Sequence, residues 1–426
     1  MRGSLERLAA LFRFERGIAS NIAIKAASDV LVKASRFVLV IGAARLLGPG
    51  DFGLYSLAFA IASMLAILSD LGLHLHLARQ VALAEQGADA SLGEAVSGKL
   101  AMSGLVLVAL AAVVLLYPRP APVRWLLVLA GLALLGQSWC ELWNHLFRGL
   151  QTLGPEAALN LFNALVGAGA GVAVLLAGGG PHGLYAALLA TAIATNVAAL
   201  VLARARGVAA AGVSGGAARR ALQRAYPAGI AILLSMVYFR IDLVLLERLR
   251  DDAEVGAYAA AYRLLEGLLF IPAFFMAALF PALSEVSRKP DDLKRLLEVG
   301  LRWMFLLSGL LALMLLVAAP WALWLLYGES YVEAAPALRV LSLALLFIFP
   351  NYLLTHLLVA TGRQRWNALI AGVCVLVNVG LNLPAIHRFG ALGAAATTVV
   401  TEGVLFALAT RALAWGATEP PRSRGR

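Results

Sequence analysis

Apolar residues in this chain come in long unbroken runs, not in strand-like alternation or one narrow helical stripe. Twelve runs approach or exceed the ~20 residues that a helix needs to cross the hydrocarbon of a bilayer. They fall at 21–44, 52–78, 96–117, 124–147, 158–177, 183–203, 225–246, 256–282, 299–327, 337–360, 366–386 and 391–414. The pattern predicts an all-α integral membrane protein with twelve transmembrane helices. The ninth run is long and contains Pro320, where a bend is expected. Residues 1–20 include SLERLAALFRFERG, a basic amphipathic stretch suited to the cytoplasmic membrane surface. Residues 415–426 are polar and proline-rich and predict a disordered cytoplasmic tail.

Composition agrees with the runs. Of 426 residues, 61% are hydrophobic and only 14% charged, and the mean hydropathy is +0.84, far from the balance of a soluble domain. The net charge of +11 would point to nucleic acid in a soluble protein. Here 23 of the 35 Lys and Arg fall in the links expected on the cytoplasmic side against 7 in the outer links, so they serve topology and no nucleic-acid partner is expected. The same bias puts both termini inside. Cys140 and Cys374 sit in apolar runs without metal-ligand spacing, so neither a disulfide framework nor a metal is expected.

The chain also repeats itself. RLLGPGDFGLYSLAFA begins at Arg45 and RLRDDAEVGAYAAAYR at Arg248. Without gaps, Gly53, Tyr55 and Ala58 meet Gly256, Tyr258 and Ala261, and Phe59 meets Tyr262. GLYAALLAT from Gly183 has a weaker echo in GALGAAATT from Gly390. Each copy holds six runs, an even number, so the halves are expected as parallel repeats about an axis along the membrane normal. The predicted organisation is a six-helix bundle over 21–203, a cytoplasmic linker over 204–224 and a second six-helix bundle over 225–414. The linker's Gly, Ala and Arg content suits a flexible tether.

The two hairpins, LLGPGDFGLYSLAFAIASMLAILSDLGL and YFRIDLVLLERLRDDAEVGAYAAAYRLLEGLLFIPAFFMAALFPALSEV, resemble those of polysaccharide-biosynthesis proteins. These are Wzx-like oligosaccharide flippases of the multidrug/oligosaccharidyl-lipid/polysaccharide exporter superfamily. The resemblance implies a V-shaped pair of bundles around a central cavity. It implies transfer of a polyprenyl-diphosphate-linked oligosaccharide from the inner to the outer leaflet of a bacterial inner membrane. It also implies surrounding membrane lipid, with polysaccharide polymerase or glycosyltransferase partners, for lipopolysaccharide or exopolysaccharide synthesis.

Charges inside the runs are the candidate chemistry. One at the bilayer centre costs about 2.5–3.5 kcal/mol on insertion scales. Lys25, Asp29, Lys33 and Arg36 share one helical stripe of roughly 80°. Asp29 can pair with Lys25 or Lys33 at i±4. That leaves cationic excess suited to a diphosphate, because arginine forks clamp phosphate and lysine acts as a point charge. Arg240 and Arg263 in the second half and Arg148 at the end of the fourth run extend the candidate cationic site. Arg263 and Glu266 are spaced to pair. Arg240 and Asp242 point about 200° apart, so one is expected against a neighbouring helix or the outer interface.

Gln137, Glu141, His145 and Arg148 form a second stripe. Asp29, Asp70, His74, Asp242, Glu266 and Glu402 are candidates for H⁺ or Na⁺ coupling. Tyr258, Tyr262, Asn367, Asn378 and Asn382 are candidate sugar contacts, with helix packing as their other reading. No nucleotide-binding loop appears, so no cofactor is expected. The alternative function is an ion-coupled multidrug or small-molecule exporter of the same superfamily. A glycan polymerase or ligase fits less well, because the outer links are too short to hold a catalytic loop.

Overall fold

The computed structural model describes residues 2–83, 87–276 and 290–415, with side chains over 27–83, 87–223, 233–276 and 295–414. The side chain of Lys25, the side chains of the 1–20 segment and the 416–426 tail lie outside the described residues. All regular structure among the described residues is helical. Among the described residues, ten helical stretches are long and apolar enough to cross a membrane, the first of them covering Ala27–Ser69. The first expected run and most of the second lie on two arms of α1 (Arg2–Ala66), which meet at a kink where Gly48 has non-helical geometry (φ 74°, ψ 172°). Only glycine adopts that geometry freely, and the Pro49 that follows has no N–H to continue the ladder.

The chain separates into two compact units. Unit 1 is 1–46 with 65–226, and unit 2 is 47–64 with 227–426.

Unit 1 contains the first arm of α1 and then α2 (Leu73–Ala82), α3 (Ala88–Leu116), α4 (Ala121–Gly149), α5 (Leu153–Leu176) and α6 (Gly180–Ala205). The expected straight run over 52–78 is broken. A 3₁₀ turn at Ile67–Ser69 leads into Leu71 (φ 39°) and Gly72 (φ 88°) before α2 starts. Freed backbone groups at membrane depth need local partners, and the Asp70 carboxylate accepts from the His74 N–H at 3.0 Å. The core joins Leu77, Leu92, Leu142, Leu146, Phe147 and Leu159. The 204–224 stretch, expected as a flexible tether, is fastened to α3. Ala209 N donates to the Asp89 carboxylate (2.9 Å), Ala211 N to the Asp89 carbonyl (3.1 Å) and Ser214 N to Ser97 Oγ (3.1 Å). From Gly215 the stretch is already helical, as the start of α7 (Gly215–Leu249).

Unit 2 holds the second arm of α1 and most of α7. It continues with α8 (Asp252–Leu268), α9 (Pro290–Tyr327), α10 (Ala335–Ala360), α11 (Gln364–Phe389) and α12 (Ala391–Trp415). Asp251 caps α8 by accepting from Glu254 N at 2.8 Å. Glu254 in turn accepts from Ala391 N at 2.7 Å, placing an anion at the start of α12. The second arm of α1 crosses α8 at the two repeat-matched glycines. A Cβ on Gly53 would overlap the Asp252 carbonyl and lie 3.0 Å from Gly256 N. One on Gly256 would overlap the Pro49 carbonyl and lie 2.8 Å from Gly53 N. Small residues permit this backbone approach, so the repeat seen in the sequence is also a physical contact between its two copies.

Candidate functional site

Polar clusters interrupt the apolar cores of both units. In unit 2, Arg240 on α7 and Arg263 on α8 share a single carboxylate. Arg240 Nη1 lies 2.9 Å from Glu266 Oε1 and Arg263 Nη1 2.8 Å from Glu266 Oε2. The i, i+3 spacing of Arg263 and Glu266 supplies one bond, and α7 packing on α8 supplies the other. Both guanidinium groups lie over the Phe59 ring of α1, at 5.1 and 4.4 Å from its centroid, within cation–π range. The side chains of Arg240, Arg263 and Glu266 keep 16%, 15% and 22% of their exposure, so the cluster is sunk without being sealed. Arg240 Nε is buried and has no hydrogen-bond partner among the described residues.

Beside this cluster Asp242 is almost fully buried. It accepts from Tyr258 Oη at 2.6 Å and from Leu243 N at 2.8 Å. Arg240 and Asp242, expected on different sides of α7, therefore both reach α8, the arginine by its length. Glu402 accepts from Tyr238 Oη (2.7 Å) and Asn351 Nδ2 (2.7 Å). These two carboxylates are turned into the core and held by neutral donors, as buried charges require.

The sugar-contact candidates are placed mostly inward. Tyr258 and Tyr262 are buried, with centroids 6.0 Å apart. Asn378 and Asn382 are buried and bond one another at 2.8 Å. A sugar reaches these four only after a rearrangement; Asn367 alone of the set is half-buried.

In unit 1 the outcome for α1 and α4 differs from residue to residue. Lys33 and Arg36 are exposed and Asp29 is half-buried. The α4 stripe of Gln137, Glu141 and His145 is half-buried between buried neighbours. Arg148, a candidate cationic contact, is 47% exposed and ion-paired with Glu156 of α5 at 2.6 Å, within electrostatic reach of Glu141 and Asp29. Glu156 is fully buried, so it commits one face of Arg148 to structure.

Sequence reasoning missed the main feature of unit 1. Lys99, counted there among the cytoplasmic links, lies inside α3 and is fully buried. Its ammonium group reaches Ser69 Oγ at 3.1 Å, Ser138 Oγ at 2.5 Å and His74 Nε2 at 3.0 Å. That uses all three of its N–H donors. Because His74 Nε2 accepts from Lys99, its Nδ1 carries the proton and donates to Asp70 Oδ1 at 3.0 Å. The His74 ring stacks on His145 at 5.3 Å. The signal was available: Leu92, Lys99 and Val106 are seven apart and all buried, so helical period places the lysine on the core face.

Against this geometry, comparison with known proteins is informative. A family model described as polysaccharide biosynthesis protein matches residues 18–287, and a second, MatE, matches 227–383. A probable flippase of Haloferax volcanii, AglR, is 28% identical over 189 residues, covering 42% of this chain and 39% of that protein. The chain spans less than half the length of the curated relatives it matches. Among solved structures, an inward-facing multidrug resistance MATE family transporter of the MOP superfamily aligns with a TM-score of 0.69 at 16% identity. That alignment covers 93% of this chain and 99% of that one. The lipid II flippase MurJ in an inward closed conformation aligns with a TM-score of 0.69 at 12% identity, over 92% and 87%. The structural likenesses establish the fold, and the first family model spans well over half of the sequence: the chain is a multi-pass membrane protein that belongs to the polysaccharide biosynthesis protein family.

Proposed function

We propose that this protein moves a polyprenyl-diphosphate-linked oligosaccharide from the cytoplasmic to the outer leaflet of the cell membrane, for assembly of a surface polysaccharide. The observation that carries this reading is the Arg240–Arg263 pair. Two arginines are kept within the hydrophobic span region, at the edge of exposure, with one carboxylate between them. Arginine forks match phosphate oxygens bidentately, and intramembrane charge is rare outside functional sites. The exposed Lys33 and Arg36 of α1 add cations that an anionic headgroup would meet. Family membership and the likeness to a probable flippase support the lipid-linked sugar as cargo.

Counting the 27–69 helix as two spans at Gly48, and adding α7, gives twelve spans in the proposed topology, with both termini cytoplasmic. Coupling to H⁺ or Na⁺ and polymerase or glycosyltransferase partners belong to the same proposal.

Multidrug export is the second reading, supported by the MatE match and the fold. It calls for accessible acids, whereas Asp242 and Glu402 are turned inward onto Tyr258, Tyr238 and Asn351. Reconstitution of the full chain in proteoliposomes separates the two. A fluorescent polyprenyl-diphosphate disaccharide should cross leaflets faster than in protein-free vesicles, while a fluorescent cationic dye should not be exported. Dye export without lipid transfer would overturn the proposal.

A further inference from the structure

The bonding within the arginine cluster is incomplete in a specific way. The Arg240 guanidinium has five N–H donors, and Glu266 Oε1 at 2.9 Å from its Nη1 is the carboxylate oxygen it meets, the other oxygen of Glu266 going to Arg263. Arg240 Nε is buried with no hydrogen-bond partner among the described residues, a state that ordinarily costs free energy. The next carboxylate on α7, Asp242, is committed to Tyr258 Oη and Leu243 N. A donor set spread over two helices and stacked on one ring, Phe59, suits a larger oxyanion than a single carboxylate.

Resting on the reading above, we propose that Glu266 is a placeholder anion. It holds the arginine pair together while the protein is empty and gives way when a diphosphate binds. A diphosphate brings more charge and more oxygens, enough to engage both forks and the idle Arg240 Nε at once. Glu266 is on the same helix as Arg263 and is 22% exposed, so it has somewhere to go when displaced. Its return competes with the ligand, which lowers affinity and speeds departure. A transport site needs both, since binding must favour entry without preventing exit.

The opposite role, a brace that merely fixes the arginines for the ligand, predicts effects of opposite sign. The test is calorimetric titration of the purified full chain in detergent with farnesyl diphosphate, using farnesol to subtract tail binding. Glu266→Gln should bind farnesyl diphosphate about tenfold tighter than wild type, and leaflet transfer should slow because release is impaired. Glu266→Asp keeps the charge with a shorter reach, so it guards against a misfolded Gln variant; it should bind about threefold tighter. Looser binding by Glu266→Asp and by a folded Glu266→Gln would establish the brace and overturn the placeholder. Arg240→Gln and Arg263→Gln should each weaken binding about tenfold. Unchanged binding in both arginine variants would sink the underlying site itself, a failure distinguishable from that of the placeholder.

Discussion

Lys99 in unit 1 and the Arg240–Arg263 pair in unit 2 are both cations in apolar helices, and they are accommodated by opposite means. Lys99 is fully buried, and its three donors meet three uncharged acceptors, with Asp70 one step away behind His74. The arginines keep partial exposure, share one carboxylate and leave a donor unused. A compact ammonium can be satisfied completely by a fixed shell, whereas planar guanidinium forks retain capacity for an exchangeable oxyanion. Completeness marks Lys99 as a structural centre. Incompleteness is the reason the arginine pair is proposed as a binding place.

The largest expected effect tests the sealed side of that contrast. Lys99→Ala removes the cation that Ser69, Ser138 and His74 surround, leaving those three buried groups without it and Asp70 without a nearby positive charge. Breaking such a buried arrangement costs about 3–5 kcal/mol, so thermal unfolding in detergent should drop sharply. Lys99→Met keeps most of the volume and should recover part of the loss. A Lys99→Ala protein that melts like wild type would dissolve the distinction between the two clusters. A smaller effect is expected on α1. Lys33→Gln with Arg36→Gln should leave stability within about 0.5 kcal/mol, as for exposed sites. Leaflet transfer should fall several-fold at low salt, with the difference narrowing at high salt as screening removes the long-range attraction. Equal rates for variant and wild type at low salt would remove these cations from the account.

The all-helical, membrane-spanning character, the alignment of Gly53 with Gly256 and the Arg263–Glu266 pair could be read in advance because each rests on a local rule: run length, alignable residues, or i, i+3 spacing. The repeat even marked Gly53 and Gly256, although nothing in it said that the two would touch. What stayed hidden depends on partners distant in sequence. Lys99 follows SLGEAVSG, polar enough to pass for a cytoplasmic end, and its shell comes from Ser69, His74 and Ser138 on other elements. The Arg148 ion pair stayed hidden because Glu156 lies beyond the α4–α5 turn. Arg240 and Asp242 looked incompatible because a helical wheel gives direction without the reach of a long side chain. The Gly72 break was unreadable because hydropathy runs on across it, and the bonds of the Asp70 carboxylate to His74 appear only once the chain has turned there.

The central claim is that the partly exposed arginine pair carries the anionic headgroup. The most direct measurement is leaflet transfer of a fluorescent polyprenyl-diphosphate disaccharide by the Arg240→Gln/Arg263→Gln double variant in proteoliposomes, alongside its unfolding temperature. Losing charge-assisted hydrogen bonds of about 1.5–3 kcal/mol each predicts transfer at least about tenfold below wild type, in a protein that still folds and inserts. Wild-type transfer by a correctly folded double variant would contradict the account.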